Sequence, residues 1–163
     1  MNPRKTVVFL GAKSVGHACL EHLFKSADLF GYQVAGVLIG KQRVRTDAWD
    51  QNMVRLCRSY KTPFLSKLAD LLDMSDVDFL ISVQYDQILK EEHINKAQRI
   101  AINLHMAPLP EYRGCNQFSF AIIDNCEMFG TTIHRLEAGI DNGAIIRERR
   151  FPIPSNCFVE DLY

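Results

Sequence analysis

The chain has 163 residues, 47% of them apolar, enough for one domain that buries roughly 70% of its unfolded surface. Lysine plus arginine equal aspartate plus glutamate at 19 each, so no overall field draws the chain to nucleic acid or to an anionic membrane. The five cysteines are odd in number, scattered and without a Cys-x-x-Cys pair, which argues against a disulfide framework and a zinc knuckle and favours a reducing cytoplasm.

MNPRKTVVFLG places two basic residues before an apolar run that Gly11 and Lys13 interrupt too early for a secretory signal, and it reads as a buried N-terminal strand. No apolar stretch approaches the roughly 20 residues of a membrane helix, so a soluble protein with no membrane partner is expected. The run from Lys5 to Leu10 ends at Gly11 and leads into SVGHACLEHLFKSADLFG, whose apolar spacing is helical. QVAGVLI (33–39) is a second strand, nearly continuous in apolar residues, as burial on both faces of a parallel sheet requires. The polar stretch KQRVRTDAWDQN (41–52) follows. MVRLCRSY then reads as a short helix, TPFL as a strand, KLADLLDM as a helix and VDFLISV (77–83) as a strand. QILKEEHINKA is predicted helical, RIAINLH (99–105) a strand and NQFSFAIIDN a helix. GTTIHRLEAG and AIIRERRFPI are two strands joined through Ile140-Asp141-Asn142-Gly143, where Asn-Gly is a turn signal. The alternation predicts an α/β fold. No repeat, low-complexity tract or linker marks an internal boundary. SNCFVEDLY begins like a capped helix and stops within its first turns, so one domain over 1–163, truncated at its C-terminal end, is expected.

Side chains alternate faces along a strand, so Asn103 and His105 point one way while Ile102 and Leu104 point the other. In an open parallel sheet, ligands bind beyond the carboxyl ends of the strands, and Pro108-Leu109-Pro110 soon after His105 ends the strand there. The two residues alone leave two readings open: a site, or side chains that satisfy loop backbone groups.

Asn103-Leu104-His105, Pro108-Leu109-Pro110, Tyr112-Arg113-Gly114, Gly130-Thr131-Thr132-Ile133-His134 and Gly139-Ile140-Asp141-Asn142-Gly143, in that order and spacing, resemble the folate-dependent formyltransferase family. That family includes methionyl-tRNA and glycinamide ribonucleotide formyltransferases. KTVVFLGAKSVG is similar to its first strand and turn, and SVQYDQIL to its folate-side loop. HMAPLPEYRGCNQFSFAI is most similar to the nucleotide-linked sugar N-formyltransferases. The tRNA-formylating members more usually carry a small residue, serine and two leucines where this chain has Met106-Ala107-Pro108-Leu109.

The resemblance implies a Rossmann-like, doubly wound, mostly parallel sheet flanked by helices: the formyltransferase fold. It implies 10-formyltetrahydrofolate as formyl donor and, as acceptor, the amine of a nucleotide-linked amino sugar such as a dTDP-4-amino-4,6-dideoxyhexose, a building block for lipopolysaccharide O-antigen. The catalytic residues it implies are Asn103, His105 and Asp141. The folate would be bound by Val83, Gln84, Tyr85 and Ile88, by Ala107, Pro108, Leu109 and Pro110, and by Leu136, Gly139 and Ile140. The acceptor would be bound by Gly11, Lys13, Ser14, Arg113, Gly114 and Asn116. No metal and no nucleic acid is expected, and members of this kind continue past this point with segments that build a homodimer. The rival expectations are an initiator-tRNA or small amino-ribonucleotide acceptor, and an inactive folate-binding fragment.

The chemistry asks for such side chains. An amine attacking a formyl carbon passes through a tetrahedral intermediate whose oxygen becomes negative and whose nitrogen must lose a proton. Asn103 can donate amide hydrogens to that oxygen, while His105 can relay the proton or, when charged, stabilise the oxyanion. The glycines flanking Asp141 let the backbone bend sharply, so that its carboxylate can reach the His105 neighbourhood; taken without the resemblance it reads rather as a turn aspartate bonding its own backbone. Gly11-Ala12-Lys13-Ser14 is neither a Gly-x-Gly-x-x-Gly fingerprint nor a P-loop, but a helix terminus there can cradle phosphate. His134, alternating with Ile133, reads as a structural histidine. His17, His22 and His93 read as solvated or capping, and Arg147-Glu148-Arg149-Arg150 as a solvated sheet face.

Overall fold

The computed structural model describes residues 3–40 and 48–162, so the first part of the polar stretch, 41–47, lies outside the described residues. The elements run β1 (Lys5–Gly11), α1 (Lys13–Phe30), β2 (Tyr32–Ile39), α2 (Ala48–Ser59), β3 (Phe64–Leu65), α3 (Asp70–Asp73) and β4 (Val77–Val83). They continue with α4 (Glu91–Ile94), β5 (Ala97–His105), α5 (Gln117–Ile123), β6 (Met128–Arg135), β7 (Ile145–Pro152) and α6 (Val159–Leu162). The seven strands belong to a mostly parallel sheet flanked by helices, the expected fold class. By its contacts the chain divides into two compact units, residues 1–103 and 104–163.

In the first unit β1 lies between β2 and β4, parallel to both, and β2 also pairs in parallel with β3. This central place explains why Val7, Val8, Phe9 and Leu10 are consecutive and all buried: both faces of the strand are covered. Leu20 and Phe24, one turn apart, bury the inner stripe of α1, which packs on β1, β2 and β4. The carboxyl ends of these strands are tied together: Ala12 N–H donates to Val83 O at 3.2 Å and Gly40 N–H to Gly11 O at 3.0 Å.

Several elements differ from expectation. Helix α2 starts at Ala48, before the apolar Met53 that marked it in the sequence. KLADLLDM is helical only over Asp70–Asp73, because the Asp70 carboxylate accepts Ser66 N–H at 2.8 Å and Lys67 N–H at 3.1 Å and turns the preceding residues into a loop. QILKEEHINKA gives one turn, Glu91–Ile94. There His93 Nδ1 accepts Lys90 N–H at 3.1 Å; of the two roles expected, solvated or capping, this buried histidine takes the capping one. TPFL contributes only the two-residue β3.

In the second unit β6 and β7 form an antiparallel hairpin with a register shift between Ile133 and His134. Residues 136–144 join the strands, a longer connection than the two-residue turn that Asn-Gly suggests. The core here is aromatic. Phe129 is fully buried, with the rings of Phe118, Tyr112 and Phe151 at 5.4, 5.8 and 6.2 Å. Thr132 Oγ1 accepts Leu109 N–H at 3.1 Å and donates to Ala107 O at 2.8 Å, which pins the segment after β5 to β6. Arg147, Arg149 and Arg150 are exposed, and Arg150 pairs with Glu148 and Glu111, as a solvated sheet face should.

Candidate active site

His105 is the last residue of β5 and is only 6% exposed. Its Nε2 lies 2.6 Å from Tyr112 O, and its Nδ1 lies 3.5 Å from Asp141 Oδ2. Both ring nitrogens therefore face oxygens of the protein. Asn103 stands two residues earlier in the same strand, half-buried, as the last residue of the first unit.

Asp141 is delivered by the connection between β6 and β7, and its own backbone is left-handed, with φ 46°. Asp tolerates that region better than most residues. The neighbouring glycines are required for different reasons. Gly139 has φ 123°, and Gly143 passes so close to β6 that a Cβ there would lie 1.9 Å from Arg135 O. Arg113 Nε donates to Asp141 O at 2.9 Å and Gly114 N–H to Asp141 Oδ2 at 3.0 Å. The other carboxylate oxygen, Oδ1, lies 3.4 Å from Nε2 of His134, a side chain only 2% exposed. His134 Nδ1 is 2.8 Å from Arg135 O, and the two imidazoles stand nearly perpendicular with centroids 6.4 Å apart. Burial by itself would push the Asp141 carboxyl up. The hydrogen bond to His134, the Gly114 N–H and the two imidazoles more than offset it and hold the group below its ordinary value.

The second unit thus gathers His105, Asp141, Arg113 and Gly114. The last two, expected at the acceptor, are engaged in holding Asp141. His134 is the member that sequence reasoning took as structural. The available signal was its place on the strand leading to the Asp141 connection, within Gly130-Thr131-Thr132-Ile133-His134. Ala107, Pro108 and Leu109 are buried and Pro110 is exposed; Leu136 is half-buried, while Gly139 and Ile140 are exposed. Asn116 is exposed at the start of α5, with φ 61°.

In the first unit, Gly11 ends β1, and Lys13 and Ser14 open α1, where Ala12 supplies no side-chain cap. Val83 is buried, Gln84 has a left-handed backbone (φ 55°) and Ile88 is 67% exposed. The Tyr85 hydroxyl is buried with no hydrogen-bond partner among the described residues. Burial first, then the Asp86 charge, pushes that phenol up to about 12. Among the described residues no group of three or more His, Cys, Asp or Glu is arranged to hold a metal ion.

A family model described as formyl transferase matches residues 34–163. The chain belongs to that family. A methionyl-tRNA formyltransferase of Clostridium tetani is 26% identical over 167 aligned positions, covering 96% of this chain and 53% of that protein. Among solved structures, an N-formyltransferase from Helicobacter canadensis in complex with folinic acid and dTDP-3-aminofucose is 26% identical, with a TM-score of 0.78, covering 96% of this chain and 56% of that one. A phosphoribosylglycinamide formyltransferase from Bacillus halodurans, 20% identical with a TM-score of 0.78 and covering 97% and 85%, shares the fold. This formyl transferase chain spans about half or less of the length of the curated relatives it matches.

Proposed function

We propose that residues 1–163 are the catalytic domain of a cytoplasmic enzyme that moves formyl from 10-formyltetrahydrofolate to the amine of a nucleotide-linked amino sugar. The observation that carries this is the Asp141 carboxylate held beside His105 at the end of β5. In this reading His105 would turn Nε2 from the Tyr112 carbonyl to donate to the developing oxyanion, while Nδ1 stays toward Asp141. The ionised Asp141 orients that ring and can take the amine's proton through a water. Asn103 donates its amide hydrogens to the same oxygen.

Tyr85 supports the donor: a buried hydroxyl without a partner is costly until a ligand's polar atom or a water meets it. The folate would also engage Val83, Gln84 and Ile88, and Ala107, Pro108, Leu109, Pro110, Leu136, Gly139 and Ile140. Gly11, Lys13, Ser14 and Asn116 would bind the acceptor, with its phosphates at the start of α1. The sugar acceptor is supported by HMAPLPEYRGCNQFSFAI and by the Helicobacter relative. A homodimer completes this reading. A methionyl-tRNA acceptor is the second reading, favoured by the extent of the Clostridium match.

Mass spectrometry of dTDP-, GDP- and UDP-linked amino sugars, initiator methionyl-tRNA and an amino-ribonucleotide, each incubated with protein and 10-formyltetrahydrofolate, separates these readings. One sugar should gain a formyl group in place of an amine hydrogen. Formylation of the tRNA alone would replace the first reading with the second.

A further inference from the structure

Strand periodicity makes His134 a packed core residue, and its burial agrees with that. Its polar atoms add something that packing does not need. Nδ1 is committed to the Arg135 carbonyl, so the ring is fixed in its plane, and Nε2 is turned toward Asp141 Oδ1. On the other oxygen of that carboxylate, Oδ2, the Gly114 N–H is 3.0 Å away and His105 Nδ1 3.5 Å away. A partial turn of the carboxylate about its Cβ–Cγ bond would move Oδ2 off the line to His105. A partner on Oδ1 opposes that rotation, just as Arg113 on the carbonyl opposes movement of the backbone.

We propose that His134 is a positioning residue, which by engaging Asp141 Oδ1 leaves Oδ2 aimed at His105. It touches neither substrate and acts through Asp141. The groups facing that carboxylate are His105 on β5, His134 on β6 and the Gly114 amide, with Arg113 on the main chain of Asp141 itself. The proposal rests on the formyl-transfer reading for what Asp141 does in the reaction, and stands apart from it for what holds Asp141.

The deciding experiment is a carbon-13 NMR titration of the Asp141 carboxyl in the wild-type chain, in His134→Leu and in His134→Gln, with no substrate present. The wild-type group should titrate below the ordinary carboxylate range, in keeping with the partners that hold it down. In His134→Leu the midpoint should rise, and His134→Gln, which keeps an N–H donor, should recover part of the wild-type value. An unchanged midpoint in folded His134→Leu overturns the proposal. Should that variant not fold, the reciprocal observation decides: the nitrogen-15 resonance of His134 Nε2 should move in Asp141→Asn, and an unmoved resonance overturns the proposal. In turnover, His134→Leu should lower kcat roughly tenfold or more with little change in KM, and His134→Gln should restore most of it. A wild-type chain inactive with every acceptor would count against the formyl-transfer reading alone, because the NMR result does not depend on it.

Discussion

Asp141 carries charge, strain and partners in one side chain, and each gives a measurable consequence. Its folded pKa lies below its unfolded value of about 4, so the ionised form contributes stability in full above that pH and loses it as the pH falls through the lower folded value. Thermal unfolding should therefore show the wild type ahead of Asp141→Asn near neutrality, with the gap closing below about pH 4. A gap constant down to the acid limit would contradict the pairing with His105 and His134. Tyr85 gives a prediction of opposite sign in its two states. Removing an unpartnered buried hydroxyl in Tyr85→Phe should leave the ligand-free protein as stable or more stable, and should weaken folate binding by about 1 kcal/mol. Calorimetry with 5-formyltetrahydrofolate, paired with unfolding of the free protein, checks both arms. Equal folate affinity in the two proteins would remove Tyr85 from the donor site.

Among the elements, the connection 136–144 matters most, because it carries Asp141 across from β6. Gly143→Ala puts a Cβ onto Arg135 O, so the connection or β6 must shift. We expect a stability loss of about 1–3 kcal/mol, and turnover falling further than that loss explains. Wild-type turnover with normal stability would mean the close approach is not needed. Phe129→Ala tests the other half of this unit: deleting the ring that Phe118, Tyr112 and Phe151 surround should cost about 3–5 kcal/mol in denaturant unfolding.

The same elements show what could be read beforehand. Strands β1, β2 and β4 were legible because burial on both faces leaves continuous β-branched and apolar runs that little else produces. Helix α4 was not, since QILKEEHINKA has helical spacing, but the Lys90–His93 contact sets the start at Glu91 and β5 takes up the chain from Ala97. His105 and Asp141 stood out through their motifs. The part of His134 did not, because a strand pattern says that a side chain is buried and not which group a later loop will set against it. For the same reason the hydrogen bonds of Arg113 and Gly114 to Asp141 could not be read from their motif.

For the molecule as a whole, a formal net charge of zero bears on the acceptor. A tRNA substrate held by phosphate contacts would show affinity falling steeply with salt, whereas a nucleotide-sugar with one diphosphate should show a shallow dependence. The chemistry proposed for His105 and Asp141 is the same for either acceptor. The most direct measurement is the rate at which labelled formyl passes from 10-formyltetrahydrofolate to the acceptor found in the screen, compared between wild type, His105→Ala and Asp141→Asn. We expect each substitution to lower that rate about a hundredfold or more while the fold and folate binding persist, with the loss in the double variant smaller than the product of the single losses. Turnover close to wild type in His105→Ala or Asp141→Asn would mean that the pair at the end of β5 serves packing, and that formyl transfer, if present, happens elsewhere.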